Sequence, residues 1–235
     1  MRMIAIPSHI ILLFLFTILW TFLYVRRRSV HREMLVIGFL SVIFTPVIYF
    51  LNAQALHIST GLTITLSHFL FSFLFAGVAS VIFHEFFGRK YRRRKPLFFK
   101  HHLQDAHWLL HLFLLIALWA WVGVLFVYLL QTSAFQGLIV SALLIGMLVI
   151  SVRHDLIWDA IWSGVLMMIV FFLLYEIAFF QNGPVASSEW WGVMSLQERF
   201  IGSVPLEALI WAAVTAFVLG PLYEYVRGFK LSLPR

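Results

Sequence analysis

The chain has no cysteine, and only ten of its 235 residues are acidic. Without cysteine there is no disulfide framework, no thiolate metal site and no cysteine nucleophile. Charge of either sign is scarce: Asp, Glu, Lys and Arg make up 11% of the chain, against about 25% in an ordinary soluble domain. A glycine-rich phosphate loop, a Gly-x-Ser-x-Gly elbow and a His-Glu-x-x-His zinc motif are also missing. The last apolar run holds no lysine, which excludes a retinal Schiff base of the rhodopsin kind. No segment resembles an ion-selectivity filter.

What is present is apolar. Hydrophobic residues are 62% of the chain and the mean hydropathy is +0.95. One soluble core cannot enclose that much apolar surface, so the composition predicts an all-α integral membrane protein. Seven apolar runs stand out: His9–Val25, Met34–Leu51, Leu62–Phe87, Trp108–Leu130, Phe135–Val152, Leu156–Phe180 and Val204–Val226. Each is long enough to cross about 30 Å of hydrocarbon as a helix. None has the two-residue period of a barrel strand. The first run lacks a strong basic leader and a small-residue cleavage site, and is expected to stay as a helix.

The net charge of +7 is explained by topology. With the N-terminus outside and the C-terminus inside, 15 of the 17 Lys and Arg residues fall on the inner side. Only Arg2 and Arg199 fall outside. This predicts a multi-pass protein of the plasma (inner) membrane. The basic inner loops, Arg89–Lys95 above all, would meet anionic lipid headgroups. Nucleic acid is not needed as a partner.

An internal repeat is expected. The stretch His68 to His84-Glu85 and the stretch Glu207 to Tyr223-Glu224 end alike, in an aromatic residue or histidine followed by glutamate. The turns His31-Arg32-Glu33 and Arg153-His154-Asp155 precede the second and sixth runs. Helices 1–3 and 5–7 then form two parallel three-helix repeats joined by helix 4. The expected divisions are 1–104, with the basic loop, 105–133 as the linking helix, and 134–235.

The few polar residues sort by depth. Glu33, Glu85, Arg153, Asp155, Asp159, Tyr223 and Glu224 gather near the inner side and are expected to form a structural polar network between the repeats. Asp159, one turn deeper than Asp155, needs a polar partner such as an arginine. At the outer side lie Glu176, in an apolar run, and Pro205 and Glu207, both expected in the first turn of the last helix. Burial favours the neutral form of a carboxyl group, the form that donates a proton. Among ten histidines, His107 and His111 have i, i+4 spacing, but one such pair with scattered singles names no metal centre. No cofactor is expected. The aromatic content, 17%, suits a lipid interface and also a cation-facing wall.

The stretch from Arg153-His154-Asp155 through Ile201-Gly202-Ser203-Val204-Pro205-Leu206-Glu207 to Gly220-Pro221-Leu222-Tyr223-Glu224 resembles the lycopene cyclase domain of heterodimeric or fused carotenoid cyclases, as a divergent member. The first half resembles the partner copy more loosely, through His31–Leu35 and Phe69 to Glu85. The resemblance implies a cofactor-free isomerase, an intramolecular lyase. An acid protonates the terminal double bond of a linear carotenoid, and the cation closes a ring and loses a proton. Glu207 would be the proton donor, Glu176 its partner acid or base, and Pro205 and Trp211 substrate-binding residues. The family motif is Pro-x-Glu followed by a second acid; here position 208 is alanine, and the corresponding place in the first half is Ser67-His68. A non-catalytic isoprenoid- or lipid-binding protein on the same fold is the alternative, and a histidine-ligated membrane oxygenase the third reading.

Overall fold

The computed structural model describes residues 7–55, 65–88, 90–93, 104–180 and 200–232. Seven helices carry these residues: α1 (Ser8–Arg26), α2 (His31–Ala55), α3 (Leu66–Phe87), α4 (Gln104–Leu130), α5 (Ala134–Val152), α6 (Ile157–Phe179) and α7 (Leu206–Arg227). All seven are long and apolar enough to cross a bilayer. The chain is thus an all-α, multi-pass membrane protein. Four short strands accompany the helices: β1 (Lys90–Arg93), β2 (Phe200–Ile201), β3 (Val204–Pro205) and β4 (Phe229–Ser232).

Helix ends depart from the apolar runs for local reasons. The polar turn His31-Arg32-Glu33 belongs to α2, because helical hydrogen bonding continues beyond the apolar stretch that hydropathy detects. Pro205 is not in the first turn of α7. It is the residue before the helix, with ψ at 133°, and pairs with Phe200 across the β2–β3 hairpin. An edge position of this kind suits a residue without an N–H. Thr65 caps α3 through a reciprocal bond with His68, and Ser133 caps α5 with Gln136.

One end of the bundle collects the ends of α1, α3, α5 and α7 and the starts of α2 and α6; we call it the basic end. Arg27 and Arg153 break the chain there with extended φ values of −133° and −129°. Each is followed by a 3₁₀ turn, Arg28–Val30 and His154–Leu156. α3 and α7 stop at Gly88 and Gly228, with φ of +63° and +66°. Only glycine takes that left-handed conformation without penalty. Beyond these caps β1 and β4 pair antiparallel, with Tyr91 opposite Leu231.

α3 and α7 pack against each other at the centre and bury the largest share of their residues, whereas α4 buries the least. α2 lies along α3, α6 along α7, and α4 along α5. Helices in lipid gain little from the hydrophobic effect, so close backbone approach carries the packing. A methyl group at Gly38 on α2 would lie 3.0 Å from the Phe73 carbonyl oxygen of α3. One at Gly164 on α6 would lie 2.8 Å from the Ala213 carbonyl oxygen of α7. Where α1 crosses α3, Trp20 fills the space over Gly77; where α5 crosses α7, Phe217 fills the space over Gly146. Polar bonds add to this: Ser41 Oγ reaches the Ser72 carbonyl at 2.9 Å, and Trp119 Nε1 the Leu138 carbonyl at 3.2 Å.

The backbone oxygen facing Gly164 has no rotamer to move into. Gly164→Ala is expected to lower stability by about 1–3 kcal/mol, read by thermal unfolding in detergent. Met147→Ala, at a side chain that is 59% exposed on α5, is expected to change it by less than about 0.5 kcal/mol.

Candidate functional site

Two polar regions and one apolar cavity hold the residues singled out in the sequence. The first region is the basic end. Glu33 in the first turn of α2, His84 near the end of α3, Asp159 in the first turn of α6 and Glu224 near the end of α7 are all 1% exposed or less. His84 Nε2 and Glu224 Oε1 are hydrogen-bonded across the central α3–α7 contact. Donor atoms of Glu33, His84 and Glu224 all lie within 4.8 Å of one another. Asp159 acts electrostatically on His84, and its Oδ1 accepts the Ser163 hydroxyl at 3.2 Å.

Two arginines lock this cluster from either side. Arg27 donates to the His84 carbonyl at 2.8 Å and pairs with Glu85 at 3.0 Å. Arg153 donates to the Glu224 carbonyl at 3.3 Å and forms a bidentate pair with Asp155, both bonds at 2.8 Å. Glu85 also takes Arg26 at 2.8 Å. The carbonyls of His84 and Glu224, in the last turns of α3 and α7, thus each accept a guanidinium N–H, and that of Glu224 also accepts the Gly228 N–H of its cap. Tyr223 is buried and meets Trp108 of α4 edge-on at 5.8 Å. The guanidiniums of Arg32 and Arg227 lie 5.1 and 4.8 Å from the Trp108 ring centroid, a cation–π arrangement.

The residues expected in a polar network, Glu33, Glu85, Arg153, Asp155, Asp159, Tyr223 and Glu224, all lie at this end. They form more than one group. Asp155 is part-exposed and bound to its own neighbour Arg153, while Glu33 and Glu224 meet His84 in the interior. Sequence reading left out Arg27, hidden in the run Arg26-Arg27-Arg28. A signal was available: Arg27 precedes Glu33 by the same six residues that separate Arg153 from Asp159.

The second region lies at the opposite end. Glu176, near the end of α6, accepts the Ser203 N–H through Oε1 at 2.6 Å. It thereby holds the Gly202-Ser203 turn of the β2–β3 hairpin, where Gly202 has φ of +65°. Glu207 is part-buried in the first turn of α7. Ala208 beside it is 3% exposed and packed into the core.

Between the two ends, a cleft of about 690 Å³, mouth included, opens among α2, α3, α4, α5 and α7. Phe44, Phe75, Trp119 and Trp211 supply aromatic walls, and Ser41, Ser72 and Thr215 the hydroxyls. None of its lining residues is charged. Trp211 backs onto an aromatic cluster, with Phe75 at 4.6 Å and Phe71 at 6.4 Å between centroids. The cluster continues through Phe16 and Phe171 to Tyr175. Glu207 stands four residues before Trp211, on the same helical face and one turn nearer the helix start. His107 and His111 are exposed on α4 and join no metal-sized group among the described residues. His101 and His102 lie outside the described residues.

Two outcomes test these roles. His84→Leu leaves the Glu224 carboxylate buried without its imidazole and is expected to cost about 3–5 kcal/mol. Adding Glu224→Leu should recover most of it in a detergent unfolding titration. Glu176→Gln keeps an oxygen for the Ser203 N–H and is expected to be mild. Glu176→Leu should cost about 1–3 kcal/mol and speed proteolysis near residues 200–205. Compared with family models, curated proteins and solved structures, the chain matches none.

Proposed function

We propose that the chain is a carotenoid-cyclase-like membrane protein that takes the end group of a linear isoprenoid into the aromatic-lined cleft. The observation that carries this reading is the cleft itself, with Trp211 in its wall and Glu207 one turn away on the same face. An end group of a polyene is apolar and enters sideways from lipid. The Glu207 carboxyl supplies the proton. The Trp211 and Phe75 rings stabilise the resulting cation, and ring closure followed by proton loss returns the acid. Glu176, bound to the Ser203 N–H, fixes the hairpin beside the start of α7.

Paired features support a fold of two parallel three-helix repeats, α1–α3 and α5–α7, with α4 as linker. Arg27, Glu33 and Gly38 stand 126 residues before Arg153, Asp159 and Gly164. Phe73, His84 and Gly88 stand 140 residues before Ala213, Glu224 and Gly228. The members of each set make like contacts: arginine to carbonyl, glycine to carbonyl, and helix to left-handed cap. This register makes His84 the counterpart of Glu224, one residue away from the gapless comparison of sequences. The basic end faces the cytoplasm of a plasma membrane, against anionic headgroups, by the positive-inside preference.

A second reading, an isoprenoid carrier without turnover, is favoured by the buried Ala208 and by the absence of any acid among the lining residues. Expression in a host that accumulates lycopene, followed by chromatography of the pigments, separates the two. The cyclase reading expects a new monocyclic or bicyclic carotene that Glu207→Gln abolishes by at least about 100-fold. Trp211→Ala should lower product as well. Unchanged lycopene that copurifies with the protein, and is released by Trp211→Ala, establishes the carrier. Neither product nor copurifying pigment removes both.

A further inference from the structure

We propose that Glu33, His84 and Glu224 form a binding site for a divalent transition-metal ion, of the zinc and manganese class, at the junction of α2, α3 and α7. The site is separate from the cleft and does not depend on how the cleft is used. Three donor-bearing side chains from three helices converge, each 1% exposed or less, with one donor atom apiece inside 4.8 Å. A transition metal holds such donors at about 2.0–2.2 Å, hence roughly 3–4 Å from one another.

A second observation points to a cation. Oε1 of Glu224 is occupied by His84, but Oε2 of the same fully buried carboxylate has no hydrogen-bond partner. Asp159 adds a third buried carboxylate within electrostatic range of His84. Three buried carboxylates thus gather around one imidazole, in a medium that penalises buried charge heavily. A divalent ion takes the open oxygen of Glu224 and ties α2 to the α3–α7 pair. The imidazole nitrogen selects against calcium and magnesium, which prefer all-oxygen sites.

The test uses the full chain, purified in detergent and stripped with chelator. Titration with Zn²⁺ or Mn²⁺ should raise the unfolding temperature, and metal analysis after desalting should return about one ion per chain. Glu33→Gln should weaken binding at least about tenfold. The double change His107→Ala, His111→Ala should leave it as it was. Cu²⁺ bound to the unmodified chain provides a readout independent of any variant: its electron paramagnetic resonance should show coupling to a single imidazole nitrogen. Retention of less than about one ion per ten chains, with no shift in unfolding temperature at millimolar metal, overturns the site. Coupling to two nitrogens, or loss of binding with the histidine pair on α4, assigns the ion to His107 and His111 instead.

Discussion

Carboxylates buried among membrane helices set the terms for the rest of this structure. Glu33, Asp159 and Glu224 sit in the interior with exposures of 1% or less. An uncompensated charge there costs several kcal/mol, so each helix end nearby is shaped to supply compensation. Arg27 and Arg153 interrupt the chain where their guanidiniums reach the final carbonyls of α3 and α7. Gly88 and Gly228 let the chain turn away one helical turn past His84 and Glu224. The antiparallel pairing of β1 and β4 then closes this end of the bundle.

The middle of the bundle follows a different rule. Helices in lipid hold together by close contact, and the contacts here are glycine against carbonyl on both sides of the α3–α7 pair. The two crossings at Trp20–Gly77 and Phe217–Gly146 exchange which helix carries the large residue and which the small. The same space is filled from opposite directions, which keeps the geometry while the sequence diverges. The aromatic cleft lies beside this framework and draws its walls from five helices. It is therefore a product of assembly and belongs to no single segment.

Much of the architecture was legible in composition. Seven long apolar runs with few charges can only be helices in a bilayer, since every backbone N–H and C=O must be satisfied within the segment. Ends were less legible. Hydropathy placed the start of α2 at Met34, but the helix takes in His31, Arg32 and Glu33, because helical hydrogen bonding continues beyond the apolar stretch. The depth of Glu207 and the approach of Asp159 to the basic end were readable from spacing along a helix. The partner of Glu176 was not. A backbone N–H carries no signature in sequence, so the bond to Ser203 is visible only once the hairpin forms.

By itself the sequence determined the class of protein, the number of helices and the end of the bundle that carries the arginines. Those follow from transfer energies, which sum over a segment and do not depend on its neighbours. Only the tertiary structure decided which charges meet. Arg27 and Arg28 are alike in sequence, yet Arg27 alone stands at the break after α1, where it reaches His84 on a helix 57 residues away. His84 and Glu224 are 140 residues apart and share one hydrogen bond. Pairing energies of that kind depend on distance and on the exclusion of water, and both arise only when the helices have packed.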